Sequence, residues 1–377
     1  MSHIHVCLVS DQAIPNLTTA LQFNPDTTVL LSTNEMKDKA KRLETVLKNK
    51  GLKVKTLKIS AYDINDVITV SESLLNDCKG CKVSLNITGG TKIGTLGTFQ
   101  VFYTASKPIF YVNTKDNEII KLYPEKEQQK YPIEISISIK DYLAVYGFNV
   151  KSYVKDDSYI YKRKKVTDYL ANLVIHRPNI IGEINYKLQN FEEKSYPLKI
   201  NITKNKQVIK LYDILKDSGL VKIRNKSTIE IPDVETAKYL NGIWFEEYVY
   251  MMAKSLGADE VKLNVKGVWD TVGKHPPTNE FDILISKGNR LFYISCKTAN
   301  PDRKIDDTDE TIGKEYLYEL DSISDSALGL FGKRMLASAR AIKNDYVRKR
   351  AEILKIDIAD GQNIATLKGK LQQWLSK

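Results

Sequence analysis

As far as about residue 120 the chain alternates short apolar runs with amphipathic stretches. His5–Val9, Thr28–Ser32, Val54–Ile59, Lys82–Ile87 and Ile109–Val112 are compact apolar runs of strand length. Between them, Glu35 to Lys50 carries Met36, Ala40, Leu43, Val46 and Leu47 at helical spacing, with Gly51 as its stop. Asp66 to Leu75 and Lys92 to Tyr103 are the next helical stretches. Strands separated by helices predict an α/β, Rossmann-like domain with a mostly parallel sheet covered on both faces. In such sheets ligands gather at the carboxyl ends of the strands.

The pattern changes after residue 146. A basic run, Lys162-Arg163-Lys164-Lys165, precedes an apolar-periodic helix from Val208 to Lys216. Leu220–Ile223 and Thr228–Ile231 then form a hairpin around Asn225-Lys226. Helix plus two-stranded wing describes a winged-helix-like module, and equally a connector packing two domains together. From Thr236 to Leu256 the periodicity predicts one long helix ending at Gly257. Strands follow at Val261–Val265, Phe281–Ser286 and Arg290–Thr298, then mostly helix, including a basic one from Lys333 to Lys355. The expected domains are 1–146, 147–235 and 236–377.

A chain of 377 residues with 42% hydrophobic residues can bury more than one core. No apolar run approaches the ~20 residues that span a membrane, and His5–Val9 lacks the flanks of a signal peptide, so a cytoplasmic protein without membrane contact is expected. Of four cysteines, Cys78 and Cys81 form one CxxC with no second ligand pair, which reads as a helix–strand turn rather than a zinc site. A net charge of +11 favours polyanionic partners.

Polar residues follow four of the strands: Ser10, Asp11 and Gln12; Thr33 and Asn34; Ser60; and Asn86-Ile87-Thr88-Gly89-Gly90-Thr91-Lys92. Gly89 and Gly90 let backbone N–H groups approach a ligand, the next helix points its positive end there, and Thr88, Thr91 and Lys92 add hydroxyls and charge. That is a phosphate cradle, but neither a Walker loop nor a GxGxxG turn. Asn86-x-Thr88-x-x-x-Lys92 resembles the (Asp/Asn)-x-(Ser/Thr)-x-x-x-(Arg/Lys) motif of CARF domains, the Rossmann-like sensors of CRISPR-associated proteins. Val9-Ser10-Asp11-Gln12-x-Ile14-Pro15-Asn16 resembles the opening loop of CARF–nuclease fusions. The resemblance implies a homodimer whose paired strand-end surfaces bind one cyclic oligoadenylate, cyclic tetra-adenylate above all, with Gln12 and the Thr88–Lys92 turn on the ring.

A second constellation lies near the C-terminus. If Gly288-Asn289 makes a two-residue turn, Asp282 lies opposite Ser295, and Asp282, Tyr293, Ser295 and Lys297 share a face. Asp282 then offers oxygen to Mg²⁺ or Mn²⁺, while Lys297 orients water or neutralises charge on a phosphodiester. A salt bridge at a sheet edge is the plainer alternative. The arrangement resembles the PD-(D/E)xK nuclease fold, and Gly242-x-x-Phe245-Glu246-x-x-Val249 resembles the helix that supplies an acid to such sites. By that resemblance Glu246 is the matching acid and second metal ligand, with adjacent Glu247 as a substitute, while Glu280, two residues before Asp282, is placed to reach the waters around the metal. Ser295 stands where the pattern expects an acid. His275-Pro276-Pro277, Lys333-Arg334, Arg340 and Arg348-Lys349-Arg350 lie around the site as candidates for nucleic-acid contact.

The whole resembles the CARF–nuclease fusions of type III CRISPR systems. This implies a cyclic oligoadenylate-activated, metal-dependent endonuclease that cuts single-stranded RNA or DNA, or nicks duplex DNA. The alternatives are a ligand-sensing transcriptional regulator that binds duplex DNA through the middle module, and a ring nuclease that degrades its own cyclic oligoadenylate.

Overall fold

The computed structural model describes residues 1–124, 129–201, 206–225, 228–271, 276–305, 310–361 and 363–376. Its first unit runs β1 (His3–Leu8), α1 (Ile14–Phe23), β2 (Thr27–Ser32), α2 (Lys37–Asn49), β3 (Lys53–Lys58), α3 (Ile64–Asp77), β4 (Lys82–Asn86), α4 (Lys92–Thr104), β5 (Ile109–Asn113), β6 (Glu118–Tyr123) and β7 (Gln129–Pro132). The order across the sheet is β3-β2-β1-β4-β5-β6-β7. The first five strands are parallel, and β6 and β7 return antiparallel. The order reverses between β1 and β4, which opens a crevice at their carboxyl ends, the ligand position expected of this topology. Helix α1 was not anticipated from the sequence. Pro15 at its first turn starts it and Asn24, left-handed at φ 43°, ends it.

The chain continues through α5 (Ile139–Val145), β8 (Phe148–Ser152), α6 (Ser158–Lys162), α7 (Lys164–His176), α8 (Pro178–Lys187), β9 (Leu198–Asn201), α9 (Lys206–Asp217), β10 (Lys222–Asn225) and β11 (Thr228–Ile231). A β10-β11-β9 sheet beside α7, α8 and α9 has the winged-helix-like layout, although hairpin residues 226–227 lie outside the described residues. The basic run is no free linker, because Lys162 closes α6 and Lys164 opens α7.

The last unit holds α10 (Val234–Lys238), α11 (Trp244–Lys254), β12 (Glu260–Trp269), β13 (Thr278–Lys287), β14 (Arg290–Lys297), α12 (Ile312–Ala327), β15 (Lys333–Ser338), α13 (Asp345–Ile353), β16 (Ile356–Ala359) and α14 (Leu367–Ser376). Its sheet order is β16-β15-β14-β13-β12-β8, so β8, from the stretch read as connector, supplies an edge strand. Two other readings are corrected. The long helix breaks in a π turn at Tyr239–Ile243, where Gly242 is extended. The basic helix from Lys333 is instead β15 followed by α13, because the apolar run Met335-Leu336-Ala337 is buried against β14 and β16.

The units share core. One apolar cluster joins Val9, Ala13 and Leu17 of the first to Val265, Leu284 and Leu336 of the last. Polar ties reinforce it: Arg42 with Asp270, the Tyr142 hydroxyl to Leu328 O at 2.7 Å, and Ile137 N–H to Asn289 Oδ1 at 2.8 Å. Among the described residues no helix is long and apolar enough to cross a membrane.

Candidate functional site

At the strand-end crevice, the motif residues divide into struts and ligand-facing groups. Asn86 is fully buried. Its amide donates to Asn16 Oδ1 (2.9 Å), Thr19 Oγ1 (3.2 Å) and Pro15 O (3.3 Å), and its Oδ1 accepts from the Thr88 N–H (3.0 Å) and hydroxyl (2.6 Å). Thr88 Oγ1 in turn accepts from Val112 N–H at 2.7 Å. A buried amide must satisfy all its hydrogen-bonding atoms, so Asn86, together with Thr88, locks the two loops together. Thr91 caps α4 through Gly94 N–H and donates to Ala61 O at 2.9 Å, and Thr33 is buried.

Ser10, Asn34, Ser60, Gly90 and Lys92 are at least partly exposed here, as are Asp11 and Gln12, which are engaged by protein partners. Lys92 is exposed at the start of α4 and has no acidic partner among the described residues. Gly89 packs so closely that a Cβ would lie 2.3 Å from Leu8 O, and Gly90 has φ +89°. Both glycines are therefore required by the turn itself. Asn34 and Ser60 line a hollow of about 530 Å³ beside Lys58 and Tyr62. Asp11 pairs with Lys39 of α2.

Gln12 looks the other way. Its Oε1 accepts from Leu330 N–H (2.9 Å) and from the Tyr146 hydroxyl (3.3 Å), across a cavity of about 820 Å³ between the first and last units. The residue expected to touch a ligand thus also holds the loop that follows α12.

The second site forms where β13 and β14 meet α11 and α12. Gly288 and Asn289 have φ 57° and 56°, the two left-handed residues that a tight hairpin turn requires. Pairing Ile283 with Ile294 and Leu284 with Tyr293 then sets the expected register. Asp282 Oδ2 accepts from Cys296 N–H at 2.7 Å and from the Ser295 hydroxyl at 3.3 Å. Ser295, where an acid was expected, therefore serves as a donor that orients Asp282. Lys297 lies over the Tyr316 ring at 5.0 Å and donates to Glu319 Oε2 at 3.1 Å, both on α12. Neither α12 residue was anticipated. The signal was their three-residue spacing, one helical turn, but only the fold brings that turn to Lys297.

Glu246 enters from the first turn of α11, past the break at Gly242, and lines a cleft of about 700 Å³ with Glu280, Asn241 and Arg163. Burial, then Asp282 and Glu280, hold its carboxyl well above the ordinary range. Burial also pushes Asp282 up to about 6 against the pull of Lys297 and the Cys296 N–H. Burial alone would lower the Lys297 ammonium, but Asp282 and Glu319 outweigh it and raise it. Two carboxyls resisting ionisation beside one ammonium make a site whose charge balance a cation improves.

Of the two alternates, Glu280 lines the same cleft as Glu246 and Glu247 is turned away to Arg163. Glu247, about 100° further round α11, is fully buried and clamped by Arg163 (Nε to Oε2 2.8 Å). Glu280 is exposed and paired with Lys266 at 3.0 Å, within electrostatic reach of Glu246. Among the described residues no three His, Cys, Asp or Glu side chains form a ready metal cluster. Asp282 and Glu246 still fit a hard cation of the Mg²⁺ type, which needs one or two carboxylates and completes its shell with water. His275 lies outside the described residues. Arg334 is paired with Asp321 and Arg348 with Asp360, so two of the basic candidates are already engaged.

Residues 4–142 match the family model of the Card1 CARF domain, and residues 233–377 match that of the Card1-like endonuclease domain. The structure resembles protein VC1899 from Vibrio cholerae (TM-score 0.88, 21% identity, 99% of this chain and 98% of that one). It also resembles Can2 from Sulfobacillus thermosulfidooxidans, solved in complex with cyclic tetra-adenylate (TM-score 0.81, 23% identity, 99% of both chains). A type III CRISPR defence DNA nuclease activated by cyclic oligoadenylate shares the fold more distantly (TM-score 0.54, 17% identity, 90% of this chain and 46% of that one). No curated protein sequence matches the chain.

Proposed function

The chain belongs to the Card1-like CARF nucleases, and on that footing we propose that it is a cyclic oligoadenylate-activated endonuclease of type III CRISPR defence. The observation that carries the chemistry is that Asp282 and Lys297, on the central strands β13 and β14, lie within electrostatic reach of each other and of Glu246 from α11. Two half-buried carboxyls raised above their ordinary range beside a lysine favour the nuclease reading over a sensor that only regulates transcription.

Asp282 and Glu246 would hold Mg²⁺ or Mn²⁺. Bound there, such a metal would supply a water of lowered pKa and positive charge against the phosphodiester. Asp282 is kept in place by Cys296 N–H and Ser295, which lets it present its remaining oxygen. Lys297 supplies the positive charge facing the reacting phosphate once it leaves Glu319. The substrate is single-stranded RNA or DNA, or a duplex that is nicked, entering along the 700 Å³ cleft.

On the sensing side, cyclic tetra-adenylate is the proposed activator, shared across a homodimer. Lys92, Gly90, Ser10 and Asn34 are the groups open to it. Gln12 supports a route to the nuclease site: it bonds Leu330, which follows α12, and α12 carries Tyr316 and Glu319 against Lys297. A ligand that prefers one arrangement of the Ser10–Gln12 loop would then shift the Lys297–Glu319 pair.

Lys92→Ala tests the sensing half. It should weaken cyclic tetra-adenylate binding about tenfold or more, as expected for loss of one charge-assisted phosphate contact, while saturating ligand still drives cleavage. Calorimetric binding at wild-type strength would remove Lys92 from the ligand site.

A further inference from the structure

Arg340 is a basic candidate near the nuclease site whose charge no carboxylate answers among the described residues. It emerges two residues after β15. There Ser338 is paired with Lys297 and Ala339 N–H donates to Lys297 O at 2.8 Å, so its backbone sits beside the end of the lysine strand. Arg334 and Arg348, from the same unit, each meet an aspartate. Arg340 meets no carboxylate among the described residues. Among the described residues its side chain donates from Nη2 to Pro178 O at 3.2 Å, and its Nε is buried without a partner. Helix α8 pins it in place: a Cβ on Gly182 would lie 2.4 Å from Nη2. Next to it Thr298 bridges the sheet to α8 and to the α11 approach, accepting from Asn185 Nδ2 at 3.4 Å and donating to Asn241 O at 3.1 Å. Burial lowers the pKa of this guanidinium with no acid to offset the effect.

A rigid, partly desolvated guanidinium with free N–H groups matches the oxygens of a phosphate, and such charge-assisted forks are strong. We propose that Arg340 grips a backbone phosphate of the substrate strand beside the Asp282–Lys297 pair, positioning it for cleavage. This rests on the nuclease reading above. The competing role is a purely structural tether from the sheet to Pro178.

Full-length wild type, Arg340→Gln and Arg340→Lys, each with saturating cyclic tetra-adenylate and EDTA, are titrated with fluorescein-labelled poly-dT and poly-U over a range of salt. Gln keeps an N–H for Pro178 O but has no charge. It should bind the strand about tenfold more weakly at low salt, and its log–log salt slope should be shallower by about 0.7, the contribution of one single-strand phosphate. Lys should keep the slope and lose part of the affinity. Unchanged slope and affinity for Gln overturn the proposal. So does a loss of binding that comes with a lowered unfolding midpoint and an unchanged slope, which would mark a tether. If wild type cleaves with metal yet Gln matches it in binding, only this inference fails. If wild type neither binds nor cleaves either strand, the nuclease reading fails first.

Discussion

Asp282→Asn abolishes cleavage and at the same time makes the metal-free protein more stable at neutral pH. The first effect follows from losing the charged metal ligand that Cys296 N–H and Ser295 hold in place, and a fall of at least ~10³-fold is expected. The second follows from the carboxyl being pushed from 3.8 up to about 6 in the folded state, chiefly by burial. Between those values the native protein holds a proton that the unfolded chain has released. Wild-type stability therefore falls as pH rises through that window, and the penalty is complete above it. Asn carries no such penalty, so at pH 7 the variant gains about 1–3 kcal/mol, and the gain vanishes near pH 4. Urea unfolding in EDTA across this range reads it directly. Adding Mn²⁺ should stabilise wild type and not the variant. A variant less stable at every pH would mean that Asp282 is a structural anchor.

Arg163→Ala produces the largest loss of stability. Glu247 is fully buried and its carboxylate is held by the Arg163 guanidinium, which also lies 4.1 Å above the Tyr239 ring. Removing one member of a buried pair strands the other, at a cost of about 3–5 kcal/mol. The stranded Glu247, already raised by burial, would take up a proton more readily, so the loss shrinks as pH falls. Arg163→Met combined with Glu247→Gln should recover much of the stability, because no charge is left unpaired. Because α7 and α11 pack together and α11 also carries Glu246, activity should fall along with stability in the single variant. A shift below about 1 kcal/mol in urea unfolding would show the pair to be solvated.

Most of what local patterning governs was readable from the chain. The alternation of apolar runs and amphipathic stretches predicted the parallel sheet, and Gly288-Asn289 predicted the register that faces Asp282 with Ser295. Long-range packing was not readable. Met335-Leu336-Ala337 is too short to tell a buried strand from a helix by period, and β8 is five residues recruited to a distant sheet. Adjacent glutamates at 246 and 247 look alike in sequence, yet the step of about 100° from one helical residue to the next leaves the first lining the cleft and buries the second against Arg163. Asn86 and Thr88 were read as ligand groups because they sit at a strand end. Asn86 is fully buried and its amide, with the part-buried Thr88 hydroxyl, is taken up by protein partners, so both also serve as struts.

The decisive measurement is cleavage of labelled single-stranded RNA and DNA by the full chain in four mixtures, with and without cyclic tetra-adenylate and with and without Mn²⁺. The account predicts cut strands only where both are present, and none in any mixture when Asp282 is replaced by Asn. Equal cutting without the cyclic nucleotide, or intact strands with both present, would contradict it.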